Sequence, residues 1–213
     1  MRPVRLLGDL ERVATRRALT LRTLVHHYPT AVGSKEDRVV SYVAIEALNL
    51  WASFVRSYYL SCVLGVKTRA GLKITISMPG ISTASDAVIF SIRRMKPGVN
   101  TAQKLYRRDE PAWHEPHTIL TLLAALGSSN LSQVHAALGY RTSAFKHLPT
   151  FRNFFAHRNE DTAKKTVQIA RSYGISTKLR PSEILCTRLG RRPQNVLADW
   201  LDDVRNVIGL LCQ

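Results

Sequence analysis

The chain has 213 residues, 45% of them hydrophobic, which supplies apolar surface for a folded core and excludes a disordered polymer. Its 31 Lys and Arg against 15 Asp and Glu give a formal net charge of +16, an excess that points to a polyanionic partner, with nucleic acid first among the candidates. The three cysteines, Cys62, Cys186 and Cys212, lie far apart and outside any Cys-x-x-Cys unit, so neither a disulfide framework nor a zinc site is expected.

In chain order, Leu6 to Val25 reads as a helix with an apolar stripe and arginines on its other faces. His26-His27-Tyr28-Pro29 ends it. Ser34 is a candidate N-cap, with Glu36 and Asp37 in the first turn, for a long second helix that runs to about Leu64. That helix is rich in aromatic residues, which implies burial on more than one side. Leu72 to Ser77 alternates like a short strand. Ser82 to Met95 reads as a helix, followed by a basic run from Lys104 to Arg108. The segment 66–116 is expected to be an insertion between the helices of the main body, contacting substrate or covering the core. His117 to Leu126 and Leu131 to Leu138 are short helices ended by Gly127 and Gly139. Thr142 to His147 reads as a helix stopped before Pro149. A further helix then starts at Thr150 and runs through Asn159, with a continuation toward Tyr173 open. Pro181 to Leu189 is a short helix or turn, and Pro193 to Leu211 has clear helical spacing. The expected class is all-α.

The stretch Phe151-Arg152-Asn153-Phe154-Phe155-Ala156-His157-Arg158-Asn159 carries chemistry. An Arg grips a phosphate, and a His exchanges a proton near neutral pH. An Arg followed by a His after four to six intervening residues also occurs at Arg22/His27, Arg107/His114, Arg108/His114 and Arg141/His147. Only Arg152/His157 has an Asn after the Arg, aromatic residues between, and a helix start just upstream. With Thr150 as cap, Asn153 and His157 share a face, and Arg152 lies about 140° round from His157 by the 3.6-residue period. The motif then falls within two turns of a helix start, where free N–H groups favour anions.

The stretch resembles the Arg-x4–6-His motif of the HEPN superfamily, which includes RNA-cutting toxins and defence proteins. The resemblance implies a helical bundle over residues 1–213 with the 66–116 insertion. It also implies a metal-independent endoribonuclease of a toxin–antitoxin or antiphage system. Arg152, Asn153 and His157 are its expected catalytic residues. Arg158 and Asn159 extend the motif as substrate contacts, and Glu46 stands as the acid expected on an earlier helix near the site. One His does not readily serve both proton transfers of RNA cleavage. Family members commonly dimerise so that two motifs share a cleft, so a homodimer with RNA as substrate is expected, together with an acidic antitoxin partner. Without a His-Glu-x-x-His, a phosphate-binding glycine loop or a nucleophile elbow, no metal and no cofactor is expected. The N-terminus lacks a signal-peptide core, and the most apolar stretch, Leu48 to Leu64, carries Arg56, so the expectation is cytoplasmic and free of membrane.

A competing pattern runs from Asn130 to His147, a helix, a turn at Gly139 and a candidate reading helix at Thr142 to His147. It resembles the helix-turn-helix of the AraC kind and implies a DNA-binding regulator. A non-catalytic protein of the HEPN kind that binds RNA or a partner is the other alternative.

Overall fold

The computed structural model describes residues 1–213 and is all-helical. Nine α-helices follow in order: α1 (Leu7–Val25), α2 (Ser34–Val63), α3 (Ala84–Met95), α4 (Pro116–Ala125), α5 (Leu131–Leu138), α6 (Ala144–His157), α7 (Glu160–Ser172), α8 (Pro181–Cys186) and α9 (Val196–Cys212). They form two compact units, one of residues 1–14, 51–140 and 207–213, the other of residues 15–50 and 141–206. α2 is long and apolar enough to cross a bilayer, a property that core helices of soluble proteins share, and more than half of its most apolar stretch is buried within the protein.

In the first unit the aromatic residues of α2 form a ladder. Trp51 stacks on Phe54 and Phe54 on Tyr58, with ring centres 6.0 and 5.9 Å apart. The three-and-four spacing places these rings on one side of the helix. Their polar tips are satisfied: the Tyr58 hydroxyl accepts from Asn130 Nδ2 at 2.7 Å, and the Tyr59 hydroxyl donates to the Ala87 carbonyl at 2.9 Å. Segment 66–116 supplies core to this unit through Ile74, Ala87, Ile92 and Trp113, all buried. It also supplies Glu110, which takes both arms of the Arg56 guanidinium, Nε at 2.5 Å and Nη2 at 2.8 Å, and the Trp113 indole N–H at 2.8 Å.

The expected strand over Leu72–Ser77 is not formed. Only one isolated bridge occurs there, Lys67–Lys73. The alternation is real, since Ile74 is 1% exposed and Leu72 is 71% exposed. A strand needs a continuous partner, however, and the backbone of this segment bonds instead to loops: Ile74 N to Val66 O, Ser77 N to Leu126 O, and Ser129 N to Thr75 O. Gly127, at φ +60°, ends α4, and Ser77 packs so close behind it that a Cβ there would meet the serine at 3.0 Å.

In the second unit, α6 overturns the division into two helices at Pro149. It is continuous from Ala144 to His157 with Pro149 inside it. A proline there removes one helical hydrogen bond and costs about 3 kcal/mol. The opposing effect is an unbroken apolar stripe, Ala144, Leu148, Phe151 and Phe155, all buried. Each large side chain among them contributes about 1.5–3 kcal/mol on burial, so packing outweighs the proline. Phe151 meets Trp200 of α9 edge to face at 5.8 Å. The motif helix does not run on toward Tyr173. Arg158 takes the left-handed conformation, at φ 45°, and Asn159 caps α7 by accepting from Thr162 N at 2.9 Å. The C-terminal helix begins at Val196 rather than Pro193, because the buried Asn195 caps it, accepting from Ala198 N at 3.0 Å while donating to the Val25 carbonyl at 2.7 Å.

Candidate active site

The motif occupies the carboxyl half of α6, so the expected helix-start amides are not beside it. His157 is the last residue of that helix. The amides that follow belong to α7, whose first turn already carries Glu160 and Asp161. A phosphate at this motif would therefore be held by side chains rather than by a helix start.

Opposite the buried stripe, Asn153, Ala156 and His157 are exposed on the outer side of α6. Arg152 is half-buried, and its Nη1 donates to Asn153 Oδ1 at 3.2 Å. The guanidinium has thus swung from its own side of the helix toward the side that carries Asn153 and His157. Arg152 makes no ion pair, whereas several of the look-alike arginines are held by acids. Arg22 donates to Asp202 at 2.9 Å and Gln194 at 2.6 Å, and Arg107 lies 4.0 Å from Glu110. In the Arg141 pair, the partner His147 is half-buried, with its ring 5.6 Å from Tyr173 and 6.1 Å from Trp200.

The flanking residues have structural partners. Arg158 reaches α2, donating to Asp37 at 3.1 Å and to the Ser41 hydroxyl at 3.2 Å. Asn159 spends its side-chain oxygen on the α7 cap. Glu46 is not brought to the motif by any contact. It pairs with Arg17 and accepts from Asn49 at 2.9 Å. The acid that meets the motif stretch is Asp37. Burial by itself would raise its pKa, but the hydrogen bond from Arg158 and the charges of Arg158 and Arg180 help hold the carboxyl below its ordinary range. The signal for Asp37 was present only as a pair, Asp37 and Ser41, four residues apart on one face of α2.

The cysteines are buried thiols. Burial pushes Cys62 and Cys186 up to about 12, and Cys212 is also raised. No group of three or more His, Cys, Asp or Glu is placed to hold a metal ion. His26 and His27 sit edge to face at 5.1 Å. Of the competing helix-turn-helix, the first helix is α5, and the candidate reading helix over Thr142 to His147 falls at the start of the longer α6. No family model, no curated protein and no solved structure matches the chain.

Proposed function

We propose that the chain is a metal-independent endoribonuclease acting as a homodimer, with Arg152, Asn153 and His157 of two copies facing one RNA strand. The observation that carries this reading is the outer face of α6. It presents Asn153 and His157 together, with an Arg152 that is drawn to Asn153 and not held by a carboxylate. The net charge of +16 supports a polyanionic substrate.

In the proposed reaction one His157, neutral, takes the proton of a ribose 2′-OH, and the 2′ oxygen attacks the adjacent phosphorus. Arg152 donates to the equatorial oxygens as their charge grows. The partner's His157, protonated, gives its proton to the departing 5′ oxygen. The P–O5′ bond breaks, leaving a 2′,3′-cyclic phosphate and a 5′-hydroxyl. Two imidazoles are needed because base and acid act on opposite sides of the phosphorus. Asn153 orients the guanidinium through its amide oxygen and keeps its NH2 for a phosphate oxygen. A protein of this activity fits a toxin or antiphage role, held in check by an acidic partner.

Incubation of the purified protein with single-stranded RNA in EDTA tests the reading. Cleavage leaving cyclic phosphate ends, lost in His157→Ala and Arg152→Ala, is expected. RNA left intact by well-folded wild-type dimer would sink it.

A further inference from the structure

The α6–α7 hairpin carries an open groove of about 510 Å3, lined by Lys146, His147, Thr150, Lys165 and Gln168 over Ile169. This volume lies within the roughly 300–1,000 Å3 of small-ligand clefts. Along α6 the groove leads into the motif, because Lys146, Thr150, Asn153 and His157 follow at spacings of four, three and four and so share one side of the helix. Thr150 and His157 are about 10 Å apart at 1.5 Å per residue.

The chemistry of the lining is selective. No carboxylate borders the groove, and neither Lys146 nor Lys165 is in an ion pair, although the adjacent Lys164 is paired with Glu160 at 2.8 Å. The groove therefore offers two point charges suited to a phosphate. Beside them stand neutral hydrogen-bonding groups: the Gln168 amide, the Thr150 hydroxyl and the His147 imidazole. The His147 ring is fixed against Trp200 and Tyr173, and burial first, then the Lys146 charge, lowers its pKa, which favours the neutral imidazole. An amide that both donates and accepts matches a base edge, and a hydroxyl matches a 2′-OH. A duplex turns its base edges inward, away from such a groove. An acidic protein surface would use the lysines and leave the neutral groups idle.

We propose that this groove is a nucleotide-binding subsite that seats the phosphate and base of an unpaired ribonucleotide flanking the cleaved bond. It rests on the ribonuclease reading for its place on the substrate.

The test uses the full-length His157→Ala protein, which leaves the probe uncut, and a fluorescein-labelled single-stranded 12-mer RNA followed by anisotropy over a range of salt. Adding Lys146→Glu and Lys165→Glu is expected to weaken binding tenfold or more. The slope of log affinity against log salt is expected to fall by about 1.4, two phosphate contacts at about 0.7 each. Lys146→Gln with Lys165→Gln gives the same trend without charge repulsion, should the Glu variant fail to fold. Gln168→Ala is expected to alter preference among homopolymer RNAs while leaving the salt slope unchanged. The subsite is overturned if the affinity of the lysine variants is unchanged. It is also overturned if Lys67→Glu with Lys73→Glu loses as much, or if binding of duplex RNA or polyglutamate falls as far as that of the single strand. Wild-type cleavage is scored separately. Groove-dependent binding by a protein that never cuts defeats the nuclease reading alone, and cutting with groove-independent binding defeats the subsite alone.

Discussion

Arg56 and Arg152 each stand half-buried on a helix otherwise lined with aromatic residues, and their surroundings differ in kind. Around Arg56 the charge is fully used. Glu110 takes two of its N–H groups and a third hydrogen bond from Trp113, in a pocket where the carboxylate side chain is 7% exposed. Around Arg152 no acid approaches, and the only partner is the neutral oxygen of Asn153, at 3.2 Å. The first arrangement fixes a loop to a helix. The second leaves a cation oriented and unspent, as a phosphate site requires. A surplus of arginine therefore marks function only where no carboxylate has absorbed it.

The sharpest way to break this contrast is at the motif. His157→Ala is expected to slow RNA cleavage by about 10²–10⁴, the usual worth of a general acid or base. Its unfolding free energy should stay within about 0.5 kcal/mol of wild type, since the ring is exposed. A variant that cuts as fast as wild type would place the motif among the structural residues. At the other pole, Glu110→Ala strands the Arg56 guanidinium and is expected to destabilise the protein by about 3 kcal/mol in urea titrations. Burial alone would raise the Glu110 pKa, but hydrogen bonds from Arg56 and Trp113 and the charges of Arg56 and Arg107 hold it below the ordinary range. The unfolded chain therefore binds this proton more readily than the folded one. The stabilisation is complete above about pH 5 and fades as the pH falls through 4 and below. The stability gap between wild type and Glu110→Gln should narrow over that interval.

Pro149 shows how far local sequence reaches. The stripe Ala144, Leu148, Phe151 and Phe155 was written at helical spacing. Proline chemistry nevertheless divided the stretch into two helices, because a local rule does not weigh the Trp200 ring that Phe151 meets. Replacing Pro149 by Ala restores the missing N–H and should raise the unfolding free energy by about 1–2 kcal/mol, measured by denaturant titration, without altering cleavage. The all-helical class was legible for the same reason: long periodic stretches such as α1 and α9 declare themselves. The strand at Leu72 to Ser77 misled because alternation describes burial on one side and not the presence of a pairing partner. In the candidate site, the proximity of Arg152, Asn153 and His157 was legible from spacing, since they lie within one helix. Asp37 was not, since it meets Arg158 across 121 residues of sequence and looked like an ordinary first-turn acid. Glu46, the acid that the family resemblance implied near the motif, pairs instead with Arg17 of α1.

The smallest expected effect belongs to that long-range pair. Asp37→Asn should cost less than about 1 kcal/mol, since Arg158 is 53% exposed, and thermal melts should show the cost shrinking as salt is added. A larger loss would make Asp37 an anchor of the corner between α6 and α7 rather than a surface partner.

That corner also limits how the protein can diverge. Only Arg158 and Asn159 separate the two helices, one in the left-handed conformation and one as a cap. A residue inserted there would disrupt the left-handed turn and the Asn159 cap that set the direction of α7 against α6. Lys165 and Gln168 would then lose their phase with Lys146 and Thr150, much as one slipped tooth mistimes a pair of gears. If the hairpin seats RNA as proposed, changes of substrate preference would be open to side-chain replacement along it and closed to changes in the length of its turn.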